Sequence, residues 1–184
     1  DLDFIRTLPT SASLRTLLGY SAMDVVVLYS GNMGEKQGLE LILTAAKQRK
    51  ERTDIHFLLC GDGMVKEKIQ SDAIVYGLTS VRFLPLQPYE QLPALLASAD
   101  LHLIVQKKAV SDVVMPSKLT SILAAGGVSI VTADGDTSLA TVINANKLGW
   151  IVEPENATAL SQQLISSIDA GDLRPFRRTS PCNV

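Results

Sequence analysis

Short apolar runs alternate with segments of helical period along most of this sequence, and that alternation limits the folds available to it. The runs are apolar throughout, which is typical of strands covered on both faces. Strands separated by helical segments form parallel sheets with crossover helices. We therefore predict an α/β fold, with a Rossmann-like parallel sheet of about six strands and helices on both faces. The predicted strands are Val25–Tyr29, Ile55–Cys60, Val81–Leu84, Leu101–Val105, Val128–Thr132 and Gly149–Val152.

Several connecting segments repeat apolar residues at the spacing of one helix face. This spacing is found in the sets Leu39, Ile42, Leu43, Ala46 and Leu92, Leu95, Leu96, Ala99, and a third apolar set is Leu160, Leu164, Ile165, Ile168. Asn156 is placed to cap the last of these helices, and Asp136, Thr137 or Ser138 to cap a further one. Each of these helices is predicted to bury one face against the sheet.

The length of 184 residues allows one full hydrophobic core. We predict a single domain over residues 21–170. The segment Asp1–Tyr20, with a helix over Leu14–Leu18 and a stop at Gly19, is interpreted as a lead-in from elsewhere, and Gly171–Val184 as a tail. The sequence begins at Asp1 without a methionine, so we expect upstream sequence to have been removed.

Composition disfavours several classes of protein. A hydrophobic content of 46% and a charged content of 20% are typical of a folded domain, and a net charge of -2 gives no reason to expect nucleic acid as a partner. The apolar runs are far shorter than the roughly 20 residues that span a bilayer. Cys60 and Cys182 make no disulfide framework, and no Cys and His pattern has metal-ligand spacing. We expect a cytoplasmic protein that binds no metal.

The loops that follow the predicted strands are the expected ligand site, because open α/β sheets bind ligands at the carboxyl ends of their strands. The loop Ser30–Gly38 contains three glycines and Lys36. A helix is predicted to start near the end of this loop, at Gln37. Backbone amides at a helix start attract phosphate, and glycine allows close approach. The spacing matches neither a Walker A loop nor GxGxxG, so an ordinary strand-to-helix turn is an equal interpretation.

Two further loops could join the first. Cys60–Gly63 places an Asp between glycines, which suits a sugar hydroxyl but is also a tight turn. Pro116 or Ser117 is expected to begin a helix, with Lys118 beside it. If the helix starts at Gln37 and Ser117 converge on one crevice, Lys36 and Lys118 would suit a diphosphate.

Five blocks in order carry a family resemblance. They read VVVLYSGNMGEKQGLELIL, HFLLCGDG, VRFLPLQPYEQLPALLASADLHLI, MPSKLTSILAAGG and GWIVEPEN. Together they resemble the donor-binding C-terminal domain of family-four retaining GT-B glycosyltransferases, especially bacterial colanic acid and O-antigen sugar transferases. The resemblance implies that Asp1–Tyr20 arrives from a missing N-terminal acceptor domain.

The resemblance also implies a set of binding residues for a UDP- or GDP-sugar. The donor and diphosphate would lie at Gly31, Asn32, Gly34, Lys36, Pro116, Ser117 and Lys118, and the nucleoside at Gly61, Asp62, Gly63, Leu84, Pro85 and Ser121. No residue is assigned a catalytic role. Neither His56 nor His102 fits one, since both lie inside predicted strands and are interpreted as core or sheet-face histidines.

Departures from the family pattern fall on the charged positions. Asn32 stands where many relatives have an Arg, and Lys36 lies one residue before the usual lysine. Two glutamates separated by seven residues are common in the family, and here those positions hold Val113 and Ser121. Asp112 could replace the first glutamate after a loop shift, and Ser121 could still hydrogen-bond a ribose hydroxyl.

The function expected from this resemblance is donor binding within a glycosyltransferase that transfers a sugar, with retention, to a lipid-linked or saccharide acceptor in cell-surface polysaccharide biosynthesis. The chain alone is expected to bind the nucleotide sugar without transferring it, and the whole enzyme could associate with the inner face of the plasma membrane. Alternatives from the sequence are a non-catalytic docking module that pairs with a membrane-associated subunit, a GT-B-like epimerase, and a Rossmann-like domain of unrelated function.

Overall fold

The computed structural model describes residues 12–108, 117–171 and 173. Its strands are β1 Val25–Ser30, β2 Ile55–Cys60, β3 Val81–Leu84, β4 Leu101–Ile104, β5 Ser129–Thr132 and β6 Gly149–Val152. Its helices are α1 Ala12–Leu17, α2 Glu40–Gln48, α3 Lys66–Val75, α4 Leu92–Ser98, α5 Ser117–Ala124, α6 Ser138–Asn146 and α7 Ala157–Asp169. Short 3-10 turns lie at Glu35–Gln37 and Tyr89–Gln91.

The strands form one sheet in the order β3-β2-β1-β4-β5-β6, and every neighbouring pair is parallel. This confirms the predicted α/β Rossmann-like fold. The predicted strand ends are right to within one residue, because a run buried on both faces ends where polar or glycine residues begin. The strand order reverses beside β1, which lies between β2 and β4.

The core divides between the two faces of the sheet. Alternate residues of β1 point to opposite faces, so Tyr29 packs with Ile42 on the face covered by α2 and α7, while Leu28 packs with Leu96 on the face covered by α4 and α5. Asn156 caps α7 by accepting from the Ala159 amide, as the sequence predicts. Thr137 caps α6 in the same way.

Two helices differ from the sequence prediction. The helix expected to start at Gln37 starts at Glu40, because a 3-10 turn and then Gly38 in the left-handed conformation separate Gln37 from it. Helix α3 shows no apolar face in the sequence. It buries only Ile69 and Ala73, while Ile74 remains 79% exposed, so helical periodicity could not reveal it.

The described part of the N-terminal segment packs on the domain. Leu14, Leu18 and Tyr20 contact the core beneath α4 and α5. Buried Arg15 donates to the Asp100 carboxylate at 2.6 Å and to the Ser98 carbonyl at 3.2 Å. Residues 14–20 thus contribute to the stability of this domain, whatever chain precedes them.

Candidate functional site

A cavity of about 350 Å³ opens at the carboxyl edge of the sheet, beside the point where the strand order reverses. We call it the edge cavity. Its described lining residues are Leu28, Ser30, Gly31, Leu86, Gln87, Tyr89, Leu92, Leu96, His102, Leu103, Ser117, Lys118, Ser121 and Ile122. In open α/β sheets this is where ligands bind.

The edge cavity has an apolar interior and a polar side. Leu28 of β1, Leu96 of α4 and Ile122 of α5 are all buried, and they form the wall between the sheet and its covering helices. The polar side is formed by the first turns of α5, which carry Ser117, Lys118 and Ser121. A ligand with one flat apolar part and one polar, anionic part would match both sides.

Lys118 extends from α5 across the end of β1. Its Nζ atom lies 4.6 Å from the centre of the Tyr29 ring and donates to the Tyr29 hydroxyl at 3.3 Å. Tyr29 packs on the opposite face of the sheet from α5, so the lysine side chain crosses the sheet edge to reach it. Burial lowers the pKa of Lys118 to about 8 and raises the pKa of Tyr29.

Gly31 provides the space through which Lys118 passes. A β-carbon on Gly31 would lie 2.5 Å from Lys118 Cε, well inside contact distance. The sequence predicts close approach at Gly31 for a ligand, and the structure places the lysine side chain there. The two amides predicted to contact phosphate donate to protein acceptors in the structure. The Gly31 amide donates to the Cys60 carbonyl at 2.9 Å, and the Gly34 amide donates to Gln37 Oε1 at 3.1 Å.

Gly61 and Gly63 pack against the loop that follows β1. A β-carbon on Gly63 would lie 2.5 Å from the Met33 carbonyl oxygen, and one on Gly61 would overlap the Gly31 carbonyl oxygen. The Met33 amide donates to the Asp62 carbonyl at 2.7 Å. These glycines therefore allow the backbones of two loops to pack together. This packing gives a structural reason for the Gly61-Asp62-Gly63 pattern, which the sequence analysis placed near the nucleoside.

Lys36 and Lys118 do not share one crevice. Lys36 is exposed and is not among the described residues that line the edge cavity. Its carbonyl accepts from the Lys107 amide at 2.9 Å, and the start of α2 lies beside a different cavity, whose described lining includes Glu40 and Lys107. Among the described residues, the first helix therefore starts away from the edge cavity, because the 3-10 turn separates Gln37 from α2.

The other predicted nucleoside residues lie around the edge cavity rather than in it. The Asp62 side chain is 74% exposed and its Oδ1 is 3.7 Å from Lys66 Nζ. Leu84 is half-buried against the core, and the Leu84 and Pro85 carbonyls accept from the Gly61 amide and the Cys60 thiol. Asn32 is exposed beside the loop that contains Gly63.

Three of the predicted binding residues lie on the first turns of α5. Ser117, Lys118 and Ser121 line the edge cavity together, and Ser121 Oγ donates to the Ser117 carbonyl at 3.5 Å. The other residues of this segment considered in the sequence analysis, Asp112, Val113 and Pro116, lie outside the described residues.

The two histidines occupy different parts of the sheet. His56 lies near the start of β2, where its Nε2 is 3.6 Å from Asp24 Oδ1 and its ring is 4.8 Å from that of Tyr20. His102 is 1% exposed and lines the inner wall of the edge cavity. Both are sheet-face histidines as predicted.

Two residues that the sequence analysis did not single out, Tyr29 and Tyr89, complete the site. Leu86 and Tyr89 line the mouth of the edge cavity, where they are 66% and 55% exposed. The sequence analysis gives Tyr29 only as the last residue of the first predicted strand. An aromatic residue directly before a glycine-rich loop is the one sequence signal that could have indicated its role.

The described ranges contain neither a cluster of metal-binding side chains nor a helix that could span a membrane. No group of three or more His, Cys, Asp or Glu residues there could hold a metal ion. The helices of those ranges are too short or too polar to cross a bilayer.

A parallel six-stranded sheet with a cavity at its strand-order reversal defines a Rossmann-like domain, and the solved structures that it matches are GT-B glycosyltransferases. Residues 18–175 match the family model for glycosyl transferases group 1. The chain belongs to that family.

Named relatives agree with the family. The chain is 42% identical over 149 residues to WcaI of Escherichia coli (strain K12), whose name describes a colanic acid biosynthesis glycosyl transferase. That match covers 80% of this chain and 36% of WcaI, so the chain spans about a third of the length of the curated relatives it matches.

Solved structures share the fold at low identity. The crystal structure of Anabaena HepE in complex with UDP matches with a TM-score of 0.77 and 18% identity, over 94% of this chain and 47% of that one. The C-terminal domain of the group 1 family protein LpcC from Francisella tularensis matches with a TM-score of 0.75 and 14% identity, over 95% of this chain and 90% of that one.

Proposed function

We propose that this chain is the nucleotide-sugar donor-binding domain of a retaining glycosyltransferase. The observation that carries the proposal is the Lys118 ammonium at the polar side of a cavity whose interior is apolar. A nucleoside diphosphate has the matching parts, since its base is flat and weakly polar and its diphosphate is anionic. A UDP- or GDP-sugar is the proposed ligand.

The α5 residues divide the recognition of such a ligand. Lys118 faces the diphosphate, and the hydroxyls of Ser117 and Ser121 lie on the same side for the ribose. Leu86 and Tyr89 offer exposed apolar surface for the base at the cavity mouth. In the reaction, a cation aimed at the departing diphosphate stabilises the charge that develops as the anomeric bond breaks. Because Lys118 provides this positive charge, the proposal includes no metal cofactor.

We assign acceptor binding and sugar transfer to a part of the protein that lies outside this chain. The described cavity residues include no carboxylate that could act on an acceptor. We therefore propose that an N-terminal domain supplies the acceptor site and that the chain alone binds donor without transferring sugar. The name of WcaI, a colanic acid biosynthesis glycosyl transferase, supports a role in polysaccharide biosynthesis. We further propose that the polysaccharide is a cell-surface one and that the acceptor is lipid-linked or a saccharide at the inner face of the membrane.

Calorimetric titration of the 184-residue chain with UDP, GDP and their sugars tests the binding proposal. We expect micromolar to millimolar binding of one nucleoside diphosphate, and much weaker binding of the matching nucleoside. Absence of binding to every nucleotide would contradict the proposal and favour a docking module that pairs with another subunit. Sugar transfer by the chain alone would contradict the assignment of catalysis to a second domain.

A further inference from the structure

The Tyr29 hydroxyl joins Lys118 to the loop that follows β1. Lys118 Nζ donates to the hydroxyl at 3.3 Å, and the hydroxyl donates to the Asn32 carbonyl at 2.5 Å. The three groups belong to α5, to β1 and to that loop. A single hydroxyl therefore connects three separate segments at the edge cavity.

The direction of these hydrogen bonds favours the charged form of the lysine. Because the phenol proton points at the Asn32 carbonyl, the phenol oxygen presents its lone pairs to Lys118. An acceptor aimed at an ammonium stabilises the charge, and the Tyr29 ring, whose centroid lies 4.6 Å from Lys118 Nζ, adds a cation–π attraction. Tyr29 thus supports a cation where burial disfavours one.

Lys118 is not neutralised by a carboxylate of the described residues. The structure pairs several other lysines with acidic side chains, namely Lys66 with Asp62, Lys68 with Asp72, Lys107 with Glu40 and Lys108 with Asp134. Lys118 instead contacts a neutral phenol. Within the described residues, no carboxylate competes with an anionic ligand for this ammonium.

We propose that Tyr29 is a positioning residue for diphosphate binding. It holds the Lys118 ammonium over Gly31. Its hydrogen bond to the Asn32 carbonyl makes the position of that ammonium depend on the loop after β1. The inference rests on the proposed function and adds a residue to it. Tyr29 does not line the edge cavity, so it acts through Lys118 rather than by touching the ligand.

The variant Tyr29→Phe removes the hydroxyl and keeps the ring. We expect the affinity for UDP, or for GDP if that is the nucleotide bound, to fall about tenfold, the usual effect of one lost hydrogen bond to a charged group. The affinity for the nucleoside alone should not change. Equal losses for nucleotide and nucleoside would indicate general damage to the cavity and would overturn the positioning role.

Tyr76→Phe is the matched control. Lys47 Nζ lies 4.7 Å from the centre of the Tyr76 ring, so this pair repeats the lysine-over-tyrosine arrangement, and neither residue lines the edge cavity. Tyr76→Phe should leave nucleotide affinity unchanged. A tenfold loss in the control as well would overturn the inference.

A readout without nucleotide separates this inference from the proposed function. The carbon-13 resonance of Lys118 Cε reports its protonation, and its titration midpoint should move to lower pH in Tyr29→Phe and to higher pH in the wild type with inorganic diphosphate. Identical midpoints in wild type and Tyr29→Phe would overturn the role of Tyr29. Failure of the wild type to bind any nucleotide, with the midpoint still shifted by Tyr29→Phe, would overturn the proposed function and leave the positioning of Lys118 by Tyr29 supported.

Discussion

Gly61 lies so close to the backbone of Gly31 that a β-carbon on Gly61 would come 3.0 Å from the Gly31 carbonyl carbon and would overlap its oxygen. The Gly31 amide donates to the Cys60 carbonyl at 2.9 Å, and the Gly61 amide to the Leu84 carbonyl at 3.2 Å. Backbone contacts therefore tie together the ends of β1, β2 and β3, directly beside the edge cavity.

Gly61→Ala should destabilise the protein, because the obstacle is a carbonyl group that no side-chain rotation can move. We expect the free energy of unfolding to fall by about 2 kcal/mol or more, the usual cost of overpacking. Gly135→Ala is the control, since nothing lies within 4 Å of a β-carbon there. Urea denaturation of both variants measures the difference, and equal stability of the two would contradict the close contact.

Lys118→Met should stabilise the fold while it weakens nucleotide binding. Burial lowers the pKa of Lys118 from 10.5 to about 8, so the folded state bears the cost of a buried ammonium below pH 8. That cost is about 3 kcal/mol, and it disappears as the pH rises toward the unfolded value. The gain from Lys118→Met should thus be largest at pH 7 and small near pH 10.5. Denaturation at both pH values tests this, and a less stable Lys118→Met variant at pH 7 would contradict it.

Nucleotide affinity should fall with rising pH in the wild type. Diphosphate binds the ammonium form of Lys118, and the pKa of the free protein at that group is about 8. The affinity should therefore be nearly constant at pH 7 to 7.5 and about tenfold lower at pH 9. Lys118→Arg keeps its charge over this range, so its affinity should not vary with pH. A wild-type affinity that stays constant to pH 9 would show that the diphosphate is bound elsewhere.

Arg15→Met should cost far more stability than Arg52→Met. Removal of Arg15 leaves the buried Asp100 carboxylate without its guanidinium partner, at a cost of about 3 to 5 kcal/mol. The ion pairs of Arg52 with Asp54 and Asp169 are partly exposed, and surface pairs contribute about 1 kcal/mol or less. The free energies of unfolding of the two variants provide the comparison.

The double variant Arg15→Met, Asp100→Asn checks the cause. An amide at position 100 carries no charge and can still accept from the Val26 amide, which donates to Asp100 Oδ2 at 2.9 Å. Most of the lost stability should therefore return. If the double variant is no more stable than Arg15→Met, the loss comes from packing of α1 and not from the buried charge.

Local sequence patterns were enough to predict the sheet, its approximate strand ends and the cap at Asn156, and they limited the cap of α6 to three residues that include Thr137. Apolar runs covered on both faces and side-chain caps are local patterns, and they depend on residues a few positions apart. The same locality explains the omission of α3, since a helix without an apolar face has no periodic signal.

The assembly of the site could not be predicted from local sequence patterns. Tyr29 and Lys118 are separated by 89 positions, and parallel pairing of β1 with β4 brings their elements to one edge of the sheet. Lys36, which the sequence places beside a glycine-rich loop like a phosphate ligand, is carried away by a 3-10 turn. Composition and spacing identify which residues could bind a diphosphate, whereas the path of each loop over the strand ends determines which of them meet.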